Sequence, residues 1–369
     1  MQTLAQTQNI KDIKATPKRG PAEPDCNVDI YTHTNDVWEA MLEDCKNAQH
    51  SIVLEQYILQ NDETGRKFLS LFAEKASQGV RVRLLLDKFG SNNVYNIPLI
   101  KEIRRCNGSV EFYNDINWLH IFMPWRWLPR SHLKLLLIDS GIAYIGGACI
   151  AQHMKDWDDI VARISGAQVQ IFGKNDFEHI NHSPDSQIDG LCYKISHPDF
   201  PTAESYDTLI TRIKNAKNTI KLVTPYFSPP KRLKDALKQA ARRDVRVDIV
   251  ISEKTDVPIA GIVSRSFFPE LIQSGVNIYS YNHGVCHAKY GIIDDTWAIL
   301  GSTNLDYLSL LYNREGNLLI TNKDVIESMD TIFEETKSAT QQMGMDAWSA
   351  LPLKTKIIGF AGRLFKKIM

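Results

Sequence analysis

The 369-residue chain has no run of 18 apolar residues, so no segment reads as a bilayer-spanning helix. It has no Cys-x-x-Cys pair either. Its six cysteines, at 26, 45, 106, 149, 192 and 286, spell neither a zinc knuckle nor a disulfide framework, and reduced thiols are the simplest reading. Charge of one sign is also missing. Lysine plus arginine number 43 and aspartate plus glutamate 43, so no global field draws the chain to nucleic acid. The first 25 residues are polar, carry Lys11, Lys14, Lys18 and Arg19, and lack the apolar core of a secretory signal. What is present is an ordinary globular balance, 43% hydrophobic and 23% charged. The length exceeds what one core usually holds, so two domains are expected.

One short pattern occurs twice. His132-Leu-Lys134-Leu-Leu-Leu-Ile-Asp139 and His287-Ala-Lys289-Tyr-Gly-Ile-Ile-Asp294 are both His-x-Lys-x4-Asp. Each is followed, seven residues after the aspartate, by Gly146-Gly147 or Gly301-Ser302. One such match arises readily by chance; two at corresponding places do not.

The surroundings repeat too. A helix near 35–48, a strand at 51–57, a helix at about 65–77 and the strand run Val80-Arg-Val-Arg-Leu-Leu-Leu86 make up the first half. A helix near 205–217, a strand at 219–224, a helix carrying Leu233, Ala236, Leu237 and Ala240 on one face, and Val245-Arg-Val-Asp-Ile-Val-Ile251 make up the second. This order predicts an α/β fold of two similar βαβ-type lobes, each a mixed, mostly parallel sheet flanked by helices. The expected divisions are a flexible leader at 1–26, a first lobe at 27–183, a linker at 184–201, a second lobe at 202–345 and a tail at 346–369.

Both motifs read as β-hairpins in which Leu133, Leu135 and Leu137 alternate with His132 and Lys134, so that His and Lys share a face. Asp139 lies an odd seven residues beyond His132, facing away from it, so Asp139 and Asp294 are expected to brace the turns. The glycine steps would let backbone approach a phosphate, with Ser302 and Asn304 donating to its oxygens. Asp159 and Glu315 follow at 27 and 28 residues from His132 and His287. A carboxylate accepting from an imidazole Nδ1 would fix the tautomer and free Nε2. Two such histidines perform phosphodiester exchange: one attacks phosphorus, the other protonates the leaving alkoxide, and Lys134 and Lys289 meet the oxygen charge. No metal or cofactor is required by that chemistry.

At these residues the chain resembles the phospholipase D superfamily, and within it bacterial cardiolipin synthases of the type without amino-terminal membrane spans. The resemblance covers about residues 28–322, through Ser131–Asp139, Gly146-Gly147, Trp157-Asp-Asp159, Thr224-Pro-Tyr-Phe227, His287–Asp294, Gly301-Ser-Thr-Asn-Leu-Asp306 and Asn313-Arg-Glu315. It implies a pseudo-twofold arrangement with one shared active site. It also implies His132 as nucleophile, Asp159 and Glu315 as His-orienting acids and Asn304 as a phosphate ligand. Cys149 departs from the pattern, standing where the first half should have Asn. A thiol is a weak donor, so the phosphate cradle reads as lopsided; a redox-sensitive or an inert buried thiol are the other readings. Val161 stands where these synthases tend to carry another His.

The expected activity is phosphatidyltransfer that makes cardiolipin from phosphatidylglycerol and a second phospholipid. Hydrolysis by a phospholipase D, or a nuclease or other phosphodiesterase activity, are the alternatives. Residues 354–369 hold Ile357, Phe360, Ala361, Leu364, Phe365 and Ile368 at helical spacing among five cations. That pattern suits a basic amphipathic helix on an anionic membrane surface, or equally a helix docked on the protein's own core. The stretch from Trp118 to Arg130, with three tryptophans, reads as an interfacial belt or a buried loop. Peripheral placement on the cytoplasmic side of the membrane, with phospholipid substrates and no nucleic-acid partner, completes the expectation.

Overall fold

In the computed structural model, residues 26–114, 129–166, 169, 187–196 and 204–363 are described. Residues 1–25, 115–128 (with most of the tryptophan-rich stretch), 167–168, 170–186, 197–203 and 364–369 lie outside them.

The first half runs β1 (Asn27–His33), α1 (Thr34–Asn47), β2 (Ser51–Gln56), α2 (Glu63–Ser77), β3 (Arg81–Asp87), α3 (Pro98–Arg105), β4 (Ser109–Tyr113), β5 (Leu135–Ile138), β6 (Ile142–Gly146) and β7 (Asp158–Ser165). Its seven strands form one sheet in the order β1-β7-β6-β5-β2-β3-β4. Local chemistry sets the boundaries. The Asp62 side chain caps α2 by accepting from the Gly65 N–H at 2.9 Å. Phe68, Leu69, Phe72 and Ala76 form its buried face, and Gly79 at φ +90° turns the chain into β3.

The second half begins with β8 (Gln187–Ile188) and β9 (Leu191–Ser196), then α4 (Glu204–Asn215), β10 (Thr219–Thr224), β11 (Phe227–Ser228), α5 (Lys231–Ala241), β12 (Arg246–Ser252), α6 (Pro258–Ser266), α7 (Phe268–Ile272) and β13 (Asn277–Tyr281). It continues with β14 (Tyr290–Ile293), β15 (Trp297–Gly301), β16 (Leu305–Asp306), α8 (Tyr307–Leu311), β17 (Glu315–Ile320), α9 (Lys323–Ser338), β18 (Thr340–Gln342), α10 (Met345–Ser349) and α11 (Leu353–Gly362). Nine of these strands form the second sheet, β18-β13-β12-β10-β14-β15-β17-β9-β8, and β11 pairs separately with β16.

The fold is the expected two-sheet α/β architecture, with two differences. Parallel pairing is confined to β2-β3-β4 and β10-β12-β13, and the other pairs of both large sheets are antiparallel. The catalytic hairpins and the strands beside them run back and forth without helical crossovers, which only antiparallel pairing permits. The second difference concerns the stretch read as linker: its residues 187–196 are β8 and β9, joined to the second sheet through β17.

The two sheets pack face to face. In β5, Leu135 and Leu137 point into a core shared with Tyr290, Ile292, Leu300 and Leu318 of the other sheet, while Leu136 and Ile138 point to α1 and α2. Burial on both faces explains why this strand is four aliphatic residues in succession. Helices α4 to α8 cover the outer face of the second sheet in a third cluster, whereas α9 sends Ile326, Met329 and Phe333 into the shared core. Truncating Leu135 to Ala would cost about 2–5 kcal/mol, since the cavity would open between two rigid sheets.

Candidate active site

Asp139 and Asp294 stand where the turn reading put them. The Asp139 carboxylate accepts from the backbone N–H groups of Gln49, His50 and Ser51 at 2.6, 2.7 and 2.7 Å. Asp294 does the same for Lys217, Asn218 and Thr219 at 2.8, 2.7 and 3.0 Å. Each ties its hairpin end to the start of the neighbouring strand. Burial pushes both carboxyls up, but the three donors outweigh it and hold them below the usual carboxylate range.

His132 and His287 precede β5 and β14 rather than lying within them. Each segment leaves its own hairpin and pairs with the other half. The His132 N–H donates to the Arg314 carbonyl at 2.9 Å, and Ser131 bridges Arg314. The His287 N–H donates to the Asp158 carbonyl at 2.6 Å, and Cys286 bridges Asp158. The acids therefore work crosswise. Nδ1 of His132 meets both Glu315 oxygens at 3.1 Å, and Nδ1 of His287 meets Asp159 Oδ2 at 2.7 Å. A carboxylate partner accepts a hydrogen bond from the Nδ1–H, which keeps the proton on Nδ1 and leaves Nε2 bare. Spacing along the chain pointed to an acid in each half but not to this exchange.

Buried ion pairs hold the crossing. Arg130 grips Asp87 with Nη2 at 2.6 Å and Nε at 3.1 Å, and the Ser131 N–H donates to the same carboxylate at 3.0 Å. Glu55 accepts from the Ser131 hydroxyl at 2.7 Å and pairs with Arg314. The second half answers with a neutral bond, the Cys286 N–H to the Ser252 hydroxyl at 3.0 Å. Glu55, Asp87, Arg130 and Arg314 were missed as supports for the site. Their only signal in the sequence was charge inside or beside apolar strand runs.

Desolvation lowers the pKa of His132, opposed by Glu315. It also lowers His287, to about 4, aided by Lys289 and opposed by Asp159. Burial pushes the Asp159 carboxyl up, yet Lys289 and His287 outweigh it and keep it ionised. Both imidazoles are thus neutral at pH 7. The Tyr57 ring lies edge-on to His132 at 4.8 Å, and Trp157 packs on His287 at 5.4 Å.

Both lysines are buried. Lys134 Nζ donates to the His132 carbonyl at 2.6 Å, and Lys289 Nζ contacts the His287 carbonyl. Burial brings the Lys289 ammonium down to about 8, against the pull of Asp159. Gly147 and Ser302, expected beside a phosphate, serve the acids instead. A Cβ on Gly147 would sit 2.2 Å from Asp159 Oδ1, so the glycine makes room for the carboxylate. The Ser302 hydroxyl donates to Glu315 and accepts from the Gly316 N–H at 3.0 Å. Neither is among the described residues lining the cavity.

His132, His287, Cys149 and Asn304 line one cavity of about 480 Å³, with Tyr57 and Tyr226 at its sides. The Cys149 thiol is buried and held protonated by desolvation, and its carbonyl accepts from Trp38 Nε1 at 2.9 Å. Two imidazoles with oriented Nδ1 protons facing one cavity can pass a phosphoryl group between oxygen nucleophiles.

Comparison with known proteins agrees with this geometry. The family described as cardiolipin synthase, PLD-like domain, matches residues 41–180 and 209–337. The chain is 29% identical to the major cardiolipin synthase ClsA of Bacillus subtilis (strain 168), covering 94% of this chain and 76% of that protein. It is 29% identical to cardiolipin synthase 1 of Staphylococcus epidermidis (strain ATCC 12228), over 93% of this chain and 74% of that one. The crystal structure of phosphatidylserine synthase from Haemophilus influenzae Rd KW20 superposes with a TM-score of 0.72 at 13% identity, covering 93% of this chain and 95% of that one, a likeness of fold.

Proposed function

We propose, for a chain that belongs to the cardiolipin synthase, PLD-like domain family, that it is a phosphatidyltransferase forming cardiolipin from phosphatidylglycerol and a second phospholipid. The observation that carries this reading is the crosswise pairing of His132 with Glu315 and His287 with Asp159 around a single cavity. The cavity has room for a diester headgroup and the first carbons of its chains.

In the first step Nε2 of His132 bonds to phosphorus while the bond to the leaving headgroup oxygen breaks. His287, protonated once a phosphate anion enters and raises its pKa, gives that oxygen a proton. In the second step the acceptor hydroxyl bonds to phosphorus, its proton passes to His287 Nε2, and the phosphorus–nitrogen bond returns its electron pair to His132. Glu315 and Asp159 hold each ring as its charge changes. Lys134 and Lys289, immediately behind the histidines, offset phosphoryl charge in a dry site, where fixed cations act most strongly.

The membrane part of the reading draws on α11. It packs on α6 through Gly359, whose Cβ would meet the Ile262 carbonyl at 2.8 Å, and through Arg363, whose Nε donates to the Ser266 hydroxyl at 2.9 Å. Its opposite side exposes Leu353, Ile357 and Phe360 at i, i+4 and i+7, and Val257 and Ile259 beside the cavity are exposed as well. Such a stripe beside Lys354 and Lys356 supports peripheral binding to an anionic leaflet on the cytoplasmic side. The two readings of this helix are thus compatible: one face docks and the other remains open.

The test is a rapid quench in denaturant at neutral to mildly alkaline pH, which preserves a phosphorus–nitrogen bond, of the enzyme on phosphatidylglycerol labelled in its phosphate, followed by peptide mapping and separation of the lipid products. Label on a His132 peptide and a cardiolipin product are expected. Phosphatidic acid as the sole product would refute the transferase reading, and label on no histidine would refute the covalent step.

A further inference from the structure

The residue before each histidine-orienting acid is itself held from the other half, but by unlike means. Arg314 precedes Glu315 and pairs with Glu55 in a buried contact. Asp158 precedes Asp159 and is partly open to solvent. Its Oδ2 accepts from the Tyr281 hydroxyl at 2.6 Å, and its Oδ1 meets His33 Nδ1 at 2.8 Å. Tyr281 ends β13 of the second sheet and His33 ends β1 of the first, so this carboxylate joins three strands of two sheets. Burial and Asp158 push the Tyr281 phenol up, which keeps its proton on the oxygen as a donor.

Side chains alternate in direction along a strand, so Asp158 and Asp159 leave the start of β7 on opposite faces. One reaches Tyr281 and His33, the other His287 Nδ1 at 2.7 Å. The backbone between them crosses to the second half. The Asp158 N–H donates to the Val285 carbonyl at 3.0 Å, and its carbonyl accepts from the His287 N–H at 2.6 Å. Along the other edge the pairing of β1 with β7 is irregular, with a register shift between Tyr31 and His33. Such a shift interrupts the ladder, so side-chain contacts settle how the strand end rolls about its axis. A roll of Asp158 carries Asp159 with it, away from the imidazole.

We propose that Tyr281 is a positioning residue for His287. Through Asp158 it fixes the roll of the strand end that presents Asp159 to the ring, as the Glu55–Arg314 pair fixes Glu315 for His132. The consequence for catalysis rests on the reading of His287 as acid and base given above; the effect on the ring does not. The two crossings then differ in kind. A buried ion pair locks one, and a single phenol hydroxyl at the protein surface steadies the other.

The experiment compares Tyr281→Phe, Asp158→Leu, their double variant and Asp158→Asn in the full chain, by kinetics on phosphatidylglycerol micelles and by nitrogen NMR of labelled histidine. Tyr281→Phe removes one oxygen. It should lower kcat about tenfold with KM unchanged, the lower end of the worth of a hydrogen bond to a charged group, because this one is partly exposed. The His287 ring should then show mixed tautomers while His132 keeps a single one. Asp158→Leu should do the same and the double variant no more, the mark of two residues acting through one contact. Asp158→Asn, whose amide oxygen can still accept from the phenol, should lose no more than about threefold. A Tyr281→Phe protein with kcat within about twofold of wild type and an unaltered His287 spectrum overturns the proposal. Equal disturbance of both rings overturns it too, since that is a loosening of the whole interface. A wild-type protein without phosphatidyltransfer overturns the function read above, and the two ring spectra then decide this proposal by themselves.

Discussion

Replacing Gly147 with Ala should disable a histidine in the other half of the molecule. The added Cβ would lie 2.2 Å from Asp159 Oδ1 and 3.0 Å from its Cγ. Carbon and oxygen do not approach closer than about 3.2 Å, so the carboxylate must retreat by about 1 Å. It is held by the Ile160 N–H on Oδ1 at 2.8 Å and His287 Nδ1 on Oδ2 at 2.7 Å. A shift of that size stretches the imidazole contact beyond about 3.5 Å, where it no longer counts as a hydrogen bond. A bond to a charged group is worth about 1.5–3 kcal/mol, so kcat should fall roughly 10- to 100-fold, while KM for lipid changes little. Steady-state kinetics on phosphatidylglycerol micelles supply the rate. Nitrogen NMR of labelled histidine supplies the cause, because the His287 ring should lose its single tautomer while His132 keeps its own. A variant with kcat within about threefold of wild type and an unaltered His287 spectrum would refute the wiring.

Other perturbations read different parts of the structure. Both imidazoles titrate below the usual histidine value, so the acid limb of kcat/KM, where the attacking ring becomes protonated, should lie below that of an ordinary histidine; a limb at or above about 6.5 would contradict the desolvation reading. Asp139, whose folded pKa is depressed, stabilises the fold above its unfolded value near 3.9, and that contribution fades as pH falls through the folded value. Asp139→Asn should therefore lower Tm by several degrees at pH 7 and by progressively less towards pH 2–3, as circular-dichroism melts would record. Thiol reagents should leave Cys149 unmodified in the folded enzyme over hours, its sulfur being buried and protonated, and mass spectrometry of rapid labelling there would overturn that picture. A chain ending at residue 351 should sediment less with anionic liposomes than the full chain; equal sedimentation would remove α11 from the membrane reading.

Much of this was legible because local pattern and local structure coincide. The paired strand runs at Val80–Leu86 and Val245–Ile251 became β3 and β12, and the odd spacing of Asp139 and Asp294 correctly sent them to the turns. The shared cavity is what the family resemblance implied rather than what spacing showed. Hidden from the sequence was anything requiring knowledge of which half faces which. Glu315 lies 183 residues from the histidine it contacts, and no periodicity spans that distance. Gly147 looked like a place for phosphate because absence of a side chain says only that something comes close, not what. The ionic supports Asp87 and Glu55 end strands whose hydrophobic pattern they merely interrupt. Parallel pairing was over-read for a related reason: buried antiparallel strands such as β5 show the same unbroken aliphatic run.

The exchange of acids between halves gives the molecule a safeguard during its own synthesis. When the ribosome has delivered only the first two hundred or so residues, His132 exists without Glu315, and Asp159 waits for a histidine that has not been made. The one ring present has no carboxylate to place its proton, so a half-born chain near lipid is chemically mute. Competence arrives once, when the last strands close on the first and each lobe supplies what the other lacks.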